Sequence, residues 1–326
     1  MTARPKKSGA PRRGLVLGAG GVLGAAWSIG ALSAVEDELG WDATTAEVLI
    51  GTSAGSVLAA FLGSGVTAKT LLNHQRGIIA PGDPLITYDY DQTNALPPRP
   101  RLRLGSPQLL VRSALHPRRY TPLTAMSSVL LEGRGSLAPL GELIEAVAPR
   151  GTWATHPKTW IVAMDHETGK RVPFGRDGAP PADLIEAVMA SCAIPGWYAP
   201  VDIGGRRYVD GGVCSPTSLD LVASLGLDEV VVVSPMTSTE LDSPTSATAK
   251  VERYLRRKVT GRLLREAEKV RATGTNVVML GPGREDLETI GANLMDPSRR
   301  EAVLETSLRT SVEALRRQRG GLAAAG

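Results

Sequence analysis

Val48-Leu49-Ile50-Gly51-Thr52-Ser53-Ala54-Gly55-Ser56-Val57-Leu58-Ala59-Ala60-Phe61-Leu62 reads as three joined pieces. Val48 to Ile50 is a short apolar run rich in β-branched residues, the pattern of a buried strand. Val57 to Leu62 continues as an apolar helix. Between them Gly51-Thr52-Ser53-Ala54-Gly55 fits G-x-S-x-G, and the flanking strand and helix give that short pattern its weight. A sharp strand-to-helix turn exposes the serine hydroxyl, small neighbours let the turn close, and the helix N-terminus directs backbone amides toward developing negative charge.

Outward from this unit the chain repeats the alternation. Leu15 to Leu17, Trp160 to Ala163, Val230 to Ser234 and Val277 to Leu280 are further strand candidates, separated by helical patterns. Continuous runs such as Val230-Val231-Val232-Val233 mark strands covered on both faces. The expected fold class is therefore α/β: a layered sandwich whose largely parallel central sheet is flanked by helices.

A serine nucleophile needs a base. The chain holds only His74, His116, His156 and His166, and a hydrolase ordered Ser, Asp, His places its histidine late. A carboxylate is the alternative, and Asp210, in Tyr208-Val209-Asp210-Gly211-Gly212, ends a short strand before two glycines that leave it approachable. A plain turn aspartate is the competing reading. Gly18-Ala19-Gly20-Gly21-Val22-Leu23-Gly24 follows the first strand and also reads two ways. A dinucleotide fingerprint needs glycine or alanine where Leu23 stands, although Glu36, Asp37 and Glu38 lie near the distance for a ribose contact. An oxyanion hole needs only consecutive glycines whose amides converge on one point.

Together these residues resemble the patatin-like phospholipase family, serine lipid acyl hydrolases with a Ser-Asp dyad. The resemblance runs in order through the glycine loop at 18–24 with Ile29-Gly30-Ala31-Leu32 behind it, the serine motif at Ser53, and Ala163-Met164-Asp165 with Thr168-Gly169. It continues through Ala190-Ser191-Cys192-Ala193-Ile194-Pro195 with Tyr198, Pro200 and Val201, then Asp210-Gly211-Gly212 and Leu225-Gly226. It implies a patatin-like fold, Ser53 as nucleophile, Asp210 as base, and the amides of Gly20 and Gly21 as oxyanion donors. The implied activity is cleavage of fatty acyl esters, of phospholipase A or lysophospholipase type, through an acyl-enzyme, with no cofactor and no metal. The sequence departs from the family at Leu23, where an arginine is usual, and at Ser215-Pro216, where an Asn-x-Pro step is common. Two other readings stand beside it: a relative that binds lipid or a partner without useful catalysis, and a nucleotide-binding protein resting on the glycine loop.

Composition sets the outer bounds. At 326 residues and 42% hydrophobic the chain can bury a full core, and Cys192 and Cys214 are too few to staple it, which points to free thiols in the cytoplasm. The net charge of +4 is concentrated in Arg4, Lys6, Lys7, Arg12 and Arg13, leaving the remainder near neutrality and giving no indication of nucleic-acid binding. The basic start followed by uncharged residues 14–35 raises a secretory signal as the lesser reading, while glycine dilution argues against a membrane span. The expected organisation is a disordered basic tail over 1–12, one domain over 13–318 with C-terminal helices from about 246, and a disordered tail over 319–326. Within the domain, residues 92–131 are expected to form an irregular, Pro- and Arg-rich insertion. Residues 250–271 are expected to form a helix burying Val251, Leu255, Val259, Leu263 and Val270 behind a basic outer face. The insertion and the helix are candidate contacts for an anionic membrane surface in peripheral association.

Overall fold

The computed structural model describes residues 10–84, 86, 98–238, 240 and 242–324. In chain order the elements are β1 (Arg13–Leu17), α1 (Gly21–Leu39), β2 (Val48–Thr52), α2 (Ala54–Gly63), α3 (Ala68–Gln75), α4 (Pro107–Leu115), α5 (Pro122–Val129) and α6 (Ala138–Glu145). There follow β3 (Thr159–Asp165), β4 (Arg171–Phe174), α7 (Leu184–Ser191), β5 (Val201–Ile203), β6 (Arg206–Asp210) and β7 (Glu229–Val233). The chain ends with α8 (Ala247–Arg271), β8 (Asn276–Leu280), α9 (Arg284–Ile290) and α10 (Arg300–Ala324).

The strands form one sheet in the order β5-β6-β3-β2-β1-β7-β8, with β4 also paired to β3. β3, β2, β1, β7 and β8 run parallel, with Leu15 opposite both Leu49 and Val231, while β4 and β6 run antiparallel to β3. This is the mixed, mainly parallel sheet between helical layers expected from the alternating apolar runs. Side-chain alternation sorts the core into two layers. Leu15, Leu17, Leu49 and Val231 face Trp27, Leu32, Leu58, Phe61 and Leu304 of α1, α2 and α10. Val16, Ile50, Val162 and Val232 face Leu219 and the α8 residues Leu263, Ala267 and Val270. These side chains are buried, and each leucine, isoleucine, valine and phenylalanine among them contributes about 2 kcal/mol relative to exposure. Gly30 lets α10 lie directly on α1: a Cβ there would stand 2.9 Å from the Leu304 carbonyl oxygen.

Three expectations need correction. Residues 92–97 lie outside the described residues, but 98–131 are not irregular, since they carry α4 and α5. Each of these helices begins with a side-chain cap, Ser106 and Thr121, followed by proline. The tails are also more ordered than their composition implies. Residues 1–9 lie outside the described residues, yet Arg12 is tied to Glu47, and α10 continues its backbone ladder through Ala324.

The third correction concerns α8. Its second half buries Val259, Leu263 and Val270 as the stripe predicts, but its first half is inverted, with Val251 and Leu255 exposed and Arg253 and Arg256 buried. The reason lies in distant partners. Arg253 pairs with Asp242 at 2.8 Å and donates to the Leu287 carbonyl, while Arg256 donates to the Pro235 and Thr237 carbonyls and pairs with Glu252. Buried guanidinium groups are tolerated where this many acceptors meet them.

Candidate active site

Ser53 occupies the junction of β2 and α2 with φ 54° and ψ −126°. Among the described residues only Ser218 shares its positive φ without being glycine. Such a backbone costs about 1–3 kcal/mol and persists only where its surroundings hold it. The Ser53 amide donates to Ser191 Oγ at 2.8 Å, Ser191 Oγ donates to the Val162 carbonyl at 2.6 Å, and Ser56 Oγ donates to the Ser53 carbonyl at 2.6 Å. The motif glycines permit the close approach behind the turn. A Cβ on Gly55 would sit 2.1 Å from the Leu17 carbonyl oxygen, and one on Gly51 would sit 2.3 Å from the Gly55 carbonyl oxygen.

Asp210 ends β6 opposite Ala163 of β3, and its amide donates to the Ala193 carbonyl at 3.0 Å. The residue is 6% exposed; its carboxyl group interacts with the Ser53 hydroxyl and accepts the Gly212 amide at 2.7 Å. Burial raises its pKa from 3.8 to about 6 against the opposing pull of those two donors. The sheet thus brings Ser53 and Asp210 together from opposite ends of the motif series. Burial also pushes the neighbouring Cys192 thiol up, as does the Asp210 charge, which keeps that thiol protonated.

The glycine loop crosses the end of β1. Gly18 donates to the Val233 carbonyl, Ala19 to Pro216 and Leu23 to Leu294. No acceptor among the described residues takes the amides of Gly20 or Gly21. Gly21 adopts φ 61° and lines the same cavity as Ser53, while Gly20 packs so closely on Pro235 that a Cβ would fall 2.5 Å from its ring. Leu23 is fully buried in the core with α10 and so does not face the cavity. At the second departure, Ser215 Oγ donates to Glu266 Oε1 at 2.7 Å and accepts the Ser218 amide, and the Pro216 carbonyl holds Ala19. Ser215-Pro216 therefore braces the glycine loop through α8.

A cavity of about 570 Å³ opens beside Ser53. Val57, Leu58 and Phe61 of α2 form one wall and Leu140 and Leu143 of α6 another. His74, Gln75 and Arg300 supply its polar stretch, where Arg300 donates to the Gln75 carbonyl at 3.1 Å and His74 Nε2 is buried without a partner. The other histidines are elsewhere: His116 is exposed, His156 bonds the Ala46 carbonyl, and His166 bonds the Ser127 carbonyl with its pKa lowered by burial. A larger cavity of about 740 Å³ between α8, α9 and α10 lies away from Ser53 and is lined by mixed charges such as Arg271, Glu285 and Arg317. The parts missing from the sequence reading are Ser191 as the anchor of the elbow and the His74–Arg300 stretch. Both depend on contacts between residues far apart in the chain, and no local pattern announces them. Among the described residues no group of three or more His, Cys, Asp or Glu is placed to hold a metal ion.

No helix among the described residues is long and apolar enough to cross a membrane. Uncharacterized NTE family proteins of Mycobacterium tuberculosis and Mycobacterium bovis are 38% identical over 73 residues, covering 22% of this chain and 19% of each relative. The matched stretch is thus about a fifth of those relatives' length. The crystal structure of VipD from Legionella pneumophila superposes over 94% of this chain and 67% of its own, with a TM-score of 0.45 and 14% identity. The family model described as patatin-like phospholipase matches residues 15–223, which hold the glycine loop, Ser53, Ser191 and Asp210. On that match, which spans most of the chain, the protein belongs to the patatin-like phospholipase family.

Proposed function

We propose that the protein is a serine lipid acyl hydrolase of phospholipase A or lysophospholipase type. The observation that carries the reading is the strained Ser53 elbow meeting a buried, high-pKa Asp210 beside an apolar cavity. Ionised Asp210 takes the Ser53 proton as Oγ attacks the ester carbonyl carbon, and the oxyanion forms toward the amides of Gly20 and Gly21. Collapse breaks the ester bond, and protonated Asp210 returns its proton to the departing alcohol. Water then attacks the acyl-serine as Asp210 accepts one of its protons, and on collapse Asp210 passes that proton to Ser53 Oγ, which releases the fatty acid and restores the serine. The apolar walls favour an aliphatic chain at about 0.8 kcal/mol for each methylene removed from water. Burial keeps the Asp210 carboxylate desolvated, so that it is a stronger base than an exposed aspartate.

A long-chain fluorophosphonate tests this, because its phosphorus is attacked only by an activated hydroxyl. Intact-protein mass spectrometry should show one adduct, absent from Ser53→Ala and slower to form in Asp210→Asn. A folded protein that binds the reagent's lipid chain and forms no adduct would instead support the lipid-binding reading.

A further inference from the structure

The helix α5 is inside out, and α4 is partly so, burying Ser113 beside Leu109. In α5 the side chains of Thr124, Ser127 and Ser128 are buried and those of Leu123, Met126 and Val129 are exposed. The buried hydroxyls are satisfied by backbone: Thr124 donates to the Val213 carbonyl at 3.0 Å, Ser127 to Thr124 at 2.7 Å and Ser128 to Ala125 at 2.6 Å. In α4, Ser113 is buried while Val111 is 59% and Leu115 69% exposed, and the preceding Leu102 is 97% exposed. A surface helix in water normally turns its apolar stripe to the core. Scattered exposed leucines are ordinary, but apolar residues gathered on one small cap whose serine and threonine hydroxyls point inward call for an apolar partner.

The charge on the same cap narrows the partner. Arg99, Arg112, Arg118 and Arg119 are exposed, as are Arg101 and Arg103, which pair with the buried Glu132, and residues 98–131 themselves contain no acid. Exposed aliphatic side chains among guanidinium groups match the interfacial zone of a bilayer with anionic headgroups, where the aliphatic chains enter the acyl boundary and the cations meet phosphate.

Position in the fold agrees. Tyr120 donates to the Thr168 carbonyl just beyond β3, and Leu109 packs on Met164 and Val209. By strand alternation Met164 faces the same side as Val162, the side that α8 covers. The inverted first half of α8, exposing Val251, Tyr254 and Leu255, is fixed at the same end of the sheet by Arg256 on the carbonyl of Pro235, just past β7. In sheet order β3 and β7 lie on either side of β2 and β1, about 14 Å apart at the usual strand spacing. Ser53 follows β2 and so sits at the same end of the sheet, on the strands between the two attachment points.

We infer that the α4–α5 cap is a docking face for an anionic lipid bilayer, with the exposed half of α8 as its second point of contact. The inference rests on the lipid-hydrolase reading for its purpose, which is to bring Ser53 to acyl esters held in a membrane. Docking itself is measurable without turnover, so the two stand or fall separately.

The test is sedimentation of the full-length protein with vesicles of phosphatidylcholine alone or with one third phosphatidylglycerol, at low and high salt. The paired substitution Leu115→Glu with Met126→Glu changes only exposed side chains, and its unfolding midpoint reports that it is folded. The expected result is binding to the anionic vesicles at least tenfold tighter than to the neutral ones, weakened by salt and reduced at least tenfold in the paired variant. Absence of vesicle binding, equal binding to both compositions, or parent-like binding of the folded variant would overturn the docking face. A dimer in light scattering that dissociates in the variant, without vesicle binding, would overturn it in favour of self-association. Vesicle binding by a protein that forms no fluorophosphonate adduct would leave the docking face standing and remove the hydrolase reading.

Discussion

Asp210→Asn should lower kcat on a soluble ester by at least about a thousandfold and at the same time make the folded protein more stable at neutral pH. The two effects have one cause. In the native protein the carboxyl group is almost fully buried and holds its proton up to about pH 6, whereas an unfolded aspartate releases it near 3.9. The folded state therefore binds the proton more tightly than the unfolded state. The stability this group contributes is complete below about pH 4 and is lost as pH rises to about 6. Above that the protein carries a buried carboxylate at a cost on the order of 1–3 kcal/mol. Asparagine has no proton to lose and keeps an oxygen for the Gly212 amide. Urea titrations should show Asp210→Asn more stable than the parent at pH 7.5 and level with it at pH 4. The parent's kcat/KM should rise as pH climbs through about 6, because only the ionised form can take the serine proton. A variant less stable than the parent at pH 7.5 would mean that the carboxylate is held by compensating partners and is not a base poised by burial.

How much of this was legible depends on the range of the interactions. The strand, elbow and helix of residues 48–62 were readable because every part is local: β-branched residues, then small ones, then a helical run. The glycine loop was readable for the same reason, but what its amides face depends on distant residues and so was not; Gly21 lines the cavity with Ser53. The helical stripe of α8 is a different case. Periodicity locates a stripe but does not say which side of it meets water, and for Arg253 and Arg256 that was decided by carbonyls of Leu287, Pro235 and Thr237. The hydroxyls inside α5 follow the same logic, since a serine or threonine that bonds its own helix backbone can be buried where a sequence pattern expects an apolar residue. Ser191 stands 138 residues from the amide it holds, and its placement becomes visible only when α7 packs beside β3.

Ser53 gives the largest loss of activity and a second reading of the elbow. Ser53→Ala and Ser53→Gly both remove the nucleophile and should each lower kcat by about ten-thousandfold or more. They should not be equally stable. At φ 54° and ψ −126° any residue with a Cβ is strained, and the alanine variant keeps that strain while losing only a hydroxyl. Glycine populates this region freely, which recovers about 1–3 kcal/mol, less about 0.5–1 kcal/mol for its greater freedom in the unfolded chain. Ser53→Gly should therefore be more stable than Ser53→Ala by about 1 kcal/mol, read as a higher urea midpoint at an unchanged slope. The comparison isolates the backbone because both variants lack the Ser53 hydroxyl and both keep the amide that Ser191 accepts. Equal midpoints would show an elbow relaxed at this position, and Ser53 would then owe its placement to the packing of Gly51 and Gly55 alone. A higher midpoint for glycine would show that the fold holds Ser53 in place against its own backbone preference.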